Sequence, residues 1–187
     1  MFRAKRRTVV SVAAVAVALL IGALVVTLTQ GSGQADVGYV LFPAGQRPAV
    51  HEFTATSLTG TPVRFASYRG KVVVVNFWGS WCDPCRREAP TLAVLSEQYR
   101  SRGVSFLGID VGDTPANALA FTRGVGITYP SVNDASYTVT QDFSQAVPIS
   151  STPTTLVVDR TGHVAGYIFG PVTYSGLSTL IKDAVTG

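Results

Sequence analysis

The stretch Lys71-Val72-Val73-Val74-Val75-Asn76-Phe77-Trp78-Gly79-Ser80-Trp81-Cys82-Asp83-Pro84-Cys85 changes character in its middle. Val72 to Phe77 is an almost unbroken apolar, β-branched run, the pattern of a strand buried on both faces of a sheet. After Cys82 the apolar residues fall at helical spacing, with Ala89, Leu92, Leu95 and Tyr99 three or four positions apart, and the pattern ends near Gly103. Both cysteines of the chain, Cys82 and Cys85, stand at this junction. A thiol at a helix N-terminus meets unpaired backbone N–H groups and the positive end of the helix dipole, both of which favour thiolate. Cys82 is expected to face solvent at the turn, with Cys85 a turn into the helix and more buried. An attacking and a resolving sulfur are what exchange through a mixed disulfide requires.

Other uses of two cysteines fit the sequence less well. A purely structural bridge across this separation closes a tiny loop and stabilises little. Zinc needs four ligands, and only His51 and His163 remain to complete the set. Covalent haem attachment needs a His directly after the second Cys, where Arg86 stands. A peroxide-reducing thiol is expected in a Thr-x-x-Cys setting, and Gly79 occupies the Thr position. The pair therefore reads as redox chemistry carried by the cysteines themselves, with no cofactor and no metal site.

Moving outward, strands alternate with helices. Phe53 to Thr56 and Pro62 to Phe65, on either side of Leu58-Thr59-Gly60, predict a short hairpin. Val104 to Ile109 is a second buried strand. Thr114-Pro115 opens a helix running to about Gly124, with Pro in its first turn. A short helix is expected between Ala135 and Phe143. Thr154 to Val158 and Val164 to Phe169 form two strands joined by Asp159-Arg160-Thr161-Gly162, and Thr173 to Val185 is a closing helix. This order describes an α/β sandwich with a mixed sheet. Its domain covers residues 51–187.

A chain of 187 residues holds one ordinary domain and an appendage. Hydrophobic residues at 47% and charged residues at 14% exclude a disordered chain. The net charge of +4 lies at one end: Arg3, Lys5, Arg6 and Arg7 supply it, and the remaining basic residues balance the 11 acids. The neutral remainder has no basic patch, which argues against nucleic-acid binding. Thr8 to Thr29 is an uncharged run rich in Val, Ala and Leu, about 33 Å long as a helix and enough to cross a hydrocarbon core. Residues 1–29 therefore read as a signal-anchor, or as a signal peptide cleaved near Ala35. In both cases the cationic end stays in the cytoplasm and the rest lies outside, where disulfides persist. Residues 30–50, rich in Gly, Ala, Pro and Gln, read as a linker, with Tyr39 to Phe42 an apolar island that packs on the domain or the membrane surface.

The segment Asn76 to Pro90 resembles the active-site segment of the TlpA/ResA/CcmG branch of thioredoxin-like proteins, and Thr152-Pro153-Thr154-Thr155 resembles its second signature. The resemblance covers roughly Val50 to the C-terminus. It implies a thioredoxin-like three-layer sandwich and a membrane-tethered, extracytoplasmic thiol–disulfide oxidoreductase, often serving cytochrome c maturation. Cys82 matches the nucleophile and Cys85 the resolving thiol. Pro153 matches a cis-proline lying against the disulfide, which leaves the Thr152 backbone to pair with a substrate strand. Trp81 would shield the disulfide and offer a docking face. Pro90 matches a helix-kinking proline. Glu88 matches an acid thought to tune the thiols; its alternative is a solvated acid paired with nearby arginines. The buried Asp of classical thioredoxins falls at Asn76, which cannot titrate. The loop from Ala146 to Ser151 departs from the family, which usually has a Gly-containing approach to the proline.

The implied partners are protein disulfides, apocytochrome c among them, and a membrane thiol–disulfide electron conduit. The resemblance implies the reducing direction, with an oxidase as the alternative. Asp83 disfavours thiolate at Cys82 and so favours a reductant, while Arg86, Arg87 and the helix end favour an oxidase that introduces disulfides. A copper-handling module is a further alternative, although His163 falls at the far end of a hairpin whose first strand starts at Pro153.

Overall fold

The computed structural model describes residues 38–187. The anchor or signal over 1–29 and the first part of the linker lie outside the described residues. Among those described, no helix is long and apolar enough to cross a membrane.

The central strand is β4 (Val72–Trp78), and every residue in it is buried, as its apolar run predicts. β5 (Val104–Val111) pairs with it in parallel and β7 (Thr154–Val158) antiparallel. Beyond β5 lies the parallel strand β6 (Ser131–Asp134). Beyond β7 come β8 (Val164–Phe169) and then β1 (Tyr39–Leu41), each antiparallel to its neighbour. The sheet order is β1-β8-β7-β4-β5-β6, the mixed sheet expected from the pattern.

Alternation along β4 divides its side chains between two cores. Val73, Val75 and Phe77 enter one of them, beneath α3 (Thr138–Ser144) and beside the separate hairpin of β2 (Thr54–Thr56) and β3 (Pro62–Arg64). Phe143 is its hub, meeting Phe53, Phe65 and Phe77 edge-to-face with ring centroids 5.3–5.5 Å apart. Val72 and Val74 enter the other core, covered by Leu92 and Leu95 of α1 (Asp83–Arg100) and by Leu177, Leu180 and Ile181 of α4 (Tyr174–Thr186). Between β5 and β6 runs α2 (Pro115–Val125), capped by Thr114 Oγ1, which accepts from Asn117 N at 3.3 Å.

Two elements differ from the sequence reading. β6 carries a single hydrophobic residue, Val132, and its polar composition gave no strand signal. The linker expected over 30–50 is part of the fold from Tyr39 onward. β1 pairs with β8, Val50 N donates to Gly162 O, and Val164 N donates to Pro48 O. Arg47 is largely buried, its guanidinium donating to Asp159 at 3.1 Å and to Asp183 at 2.8 Å. A Pro- and Gly-rich composition reads as a tether only until its partners, more than a hundred residues away, are known.

Candidate redox site

The site is built where β4 hands over to α1. Cys82 is the N-cap of α1, and its Sγ accepts from Cys85 N at 3.2 Å. The two cysteines form a disulfide, with an S–S distance of 2.07 Å and Cα atoms 5.3 Å apart. Both are buried, Cys82 at 3% exposure and Cys85 at 1%. The expected solvent-facing Cys82 is thus corrected. Trp78, Ala118 and the edges of Leu58 and Phe121 back the pair, and the Thr152 carbonyl oxygen lies 3.7 Å from Cys82 Sγ.

The turn before the cysteines is held from three sides. Ser80 N donates to Asp113 Oδ2 at 2.9 Å, Arg86 Nε donates to Ser80 O at 2.8 Å, and Trp81 Nε1 donates to Val111 O at 3.1 Å. Trp81 remains 57% exposed, with its indole folded over Gly79. A Cβ at position 79 would sit 2.5 Å from Trp81 Nε1, so this close approach needs glycine. Burial raises the Asp113 carboxyl, but hydrogen bonds from Ser80, Thr114 and Asn117 outweigh it and hold the group below the ordinary carboxylate range.

The Thr152–Pro153 peptide bond is cis. Pro153 O accepts from Gly170 N at 2.9 Å, which ties it to the end of β8. The preceding loop over 146–151 is anchored by Val147 in the aromatic core, with Ala146 and Ile149 packed against it.

Glu88 is 2% exposed and has no arginine partner among the described residues, so the solvated-acid alternative does not apply. Its Oε1 accepts from Asn76 Nδ2 at 2.8 Å and its Oε2 from Val172 N at 2.7 Å. Asn76 Nδ2 also donates to Thr155 Oγ1 at 2.9 Å. Burial pushes the Glu88 carboxyl up to about 7, against the lowering effect of those two hydrogen bonds. Asn76 does not titrate, but it holds the group that does.

A second buried acid, Asp110, went unnoticed in the sequence. It is 0% exposed, pairs across β4–β5 with Trp78, and accepts from Asn133 Nδ2 at 3.0 Å. Its Oδ1 has no hydrogen-bond partner among the described residues. Burial, reinforced by Asp113 and Asp134 and opposed by Asn133, raises it to about 7. The available signal was an acid inside the apolar run Phe106-Leu107-Gly108-Ile109-Asp110-Val111. His163, in contrast, lies at the end of β7 remote from Pro153, its Nδ1 2.8 Å from Thr161 Oγ1. No cluster of three or more His, Cys, Asp or Glu suited to a metal occurs among the described residues.

A cysteine pair that opens and closes at a helix N-terminus stores two electrons, and on this mixed sheet it defines a thioredoxin-fold thiol–disulfide oxidoreductase. The chain belongs to the AhpC/TSA family, which it matches over residues 47–167. It is 36% identical over 122 residues to the thiol–disulfide oxidoreductase ResA of Geobacillus kaustophilus, covering 65% of this chain and 68% of that protein. To ResA of Bacillus subtilis it is 30% identical over 137 residues, 72% of this chain and 74% of the other. A solved structure similar to it is a secreted thiol-disulfide isomerase from Corynebacterium glutamicum. The TM-score is 0.75 at 27% identity, over 83% of this chain and 96% of that one. A DsbF homologue from Corynebacterium diphtheriae gives 0.72 at 33%, over 81% and 95%.

Proposed function

We propose that this oxidoreductase works outside the cytoplasm as a reductant, held at the membrane by its N-terminal apolar segment, with apocytochrome c among its targets. Cys82 thiolate attacks one sulfur of a target disulfide; that S–S bond breaks, the other target sulfur leaves as thiolate, and a mixed disulfide remains. Cys85 passes its proton to Glu88 and attacks Cys82 Sγ, displacing the second target thiolate. Two electrons have then moved to the target, and the Cys82–Cys85 disulfide is reduced again by a membrane thiol–disulfide conduit. Trp81 and the Thr152–Pro153 backbone receive the target chain.

The observation that carries the exchange chemistry is the Cys82–Cys85 disulfide at the N-terminus of α1, with Glu88 buried one turn beyond Cys85. Asp83, in the first turn of α1, supports the reducing direction because a negative charge beside Cys82 disfavours its thiolate. A secreted structural relative supports the location. The opposite direction, an oxidase for secreted proteins, is favoured by the α1 N-terminus and Arg86.

The reduction potential of the Cys82/Cys85 couple separates the two. A value near about −270 mV is expected, and one near about −120 mV would reverse the direction. A Cys85→Ser variant is expected to trap apocytochrome c covalently. Capture only of secreted proteins with ordinary disulfides would remove the cytochrome assignment.

A further inference from the structure

Cys82 has two flanks. The Thr152 carbonyl oxygen lies 3.7 Å from Cys82 Sγ on one, and the residues that precede Cys82 in sequence, Ser80 and Trp81, line a cleft of about 660 Å³ that opens between the first turn of α1 and α2. Ser80, Trp81 and Arg86 form its near wall, and Asn117, Phe121 and Val125 its far wall. Among the described residues Arg86 is the single ionisable side chain lining it. Its Nε is occupied by Ser80 O, and its guanidinium carbon lies 5.6 Å from the centre of the Phe121 ring. The side chain is therefore held in place before any partner arrives, which lowers the entropic cost of using it. None of the ion pairs among the described residues involves Arg86. Neither nearby carboxylate lines the cleft: Asp113 is turned to Ser80 N and Thr114 N, and Asp83 is exposed in the first turn of α1.

We infer that this cleft receives an acidic side chain of the target polypeptide, carried two or three residues from the cysteine that Cys82 attacks. The inference rests on the chain acting on protein disulfides. The reach follows from geometry. Arg86 is four residues beyond Cys82, about 6 Å along a helix, and two extended residues of a target span about 7 Å. Arg86 is exposed, so the pairing is made in contact with solvent and weakens as salt screens it.

The test uses the reduced full-length chain and peptides whose single Cys is linked to thionitrobenzoate, with Glu, Gln or Lys two residues from it. Attack by Cys82 on the peptide sulfur releases thionitrobenzoate, read by its absorbance. The Glu peptide is expected to react roughly fivefold faster than the Lys peptide at low salt, the difference shrinking below about twofold at high salt. Arg86→Gln is expected to equalise the three rates, Arg86→Glu to reverse their order, and Phe121→Ala to reduce the preference. Arg123→Gln, on α2 but outside the cleft, removes the same charge and is expected to keep the preference. Equal rates with the parent protein, or a preference that survives Arg86→Gln or is lost equally with Arg123→Gln, would overturn the inference. The mixed disulfide of mercaptoethanol with thionitrobenzoate, which has no peptide to dock, separates the two levels. If it fails to react, the redox reading itself fails; if it reacts while the peptides are not distinguished, only the cleft is wrong.

Discussion

β4 presents two unlike faces. Towards α3 it offers Val73, Val75 and Phe77 to a core of aromatic rings with no titrating group at its hub. Towards α1 the same strand begins with Val72 and Val74 but ends with Asn76 and Trp78, beneath the disulfide and beside Glu88. Two residues of shift along one strand thus separate packing from chemistry. The aromatic face gains from complementary shape, where losing volume costs stability. The other face gives up apolar burial to hold carboxyls whose charge is disfavoured, an arrangement that suits proton transfer more than stability.

The largest effect expected from this division is on the aromatic face. Phe143→Ala should cost about 3–5 kcal/mol, read as a lowered denaturant midpoint, because it empties the hub of the ring cluster. The reduction potential of the folded protein should stay where it was; a changed potential would mean that the two faces are not independent.

Next comes the pH dependence of stability. The Glu88 carboxyl stands at about 7 in the folded protein against an ordinary 4.5, and Asp110 at about 7 against 3.8. Between the ordinary and the raised values the folded state holds protons that the unfolded state releases, so this contribution is fully present below the ordinary values. It is lost as pH rises through about 7, by roughly 3 kcal/mol for Glu88. Glu88→Gln should flatten about half of that decline in pH-dependent unfolding, and Asp110→Asn much of the remainder. An unchanged curve in Glu88→Gln would show that the carboxyl is not the group that titrates.

Asn76→Ala sharpens the contrast within one strand. Removing the Asn76 donor leaves Glu88 Oε1 without its side-chain partner and should cost about 1–3 kcal/mol. It should also move the pH profile of disulfide exchange to higher pH, since the hydrogen bond lowers the Glu88 pKa. Val75→Ala, on the opposite face, should cost stability with no such displacement. The smallest effect belongs to neither face. Glu97→Gln breaks an exposed 2.5 Å pair with Arg100 and should change the unfolding free energy by less than about 0.5 kcal/mol.

Much of this was legible from local pattern. The valine run of β4, the apolar spacing of α1 and the Thr114-Pro115 start of α2 are signals read within a few neighbouring residues, and the structure repeats them. β1 and β6 were not legible: three residues in one and four in the other are too few for a period to show, and each is a strand only because a neighbour supplies its hydrogen bonds. At the site, the cysteines could be picked out by type and position. The environment of Glu88 could not, because Asn76 reaches it from another element and Val172 from 84 residues further along the chain.

By itself the sequence determined where the strand ends, where the helix begins, and that one sulfur stands at the helix cap and the other in its first turn, because periodicity and capping act over a few residues. Tertiary structure alone decided that Cys82 is buried beneath the Thr152 carbonyl, that residues 39–50 close the sheet edge, and that Glu88 and Asp110 are held near neutral pKa values. Those properties depend on exclusion from water, and water is excluded by residues that only the completed fold brings together.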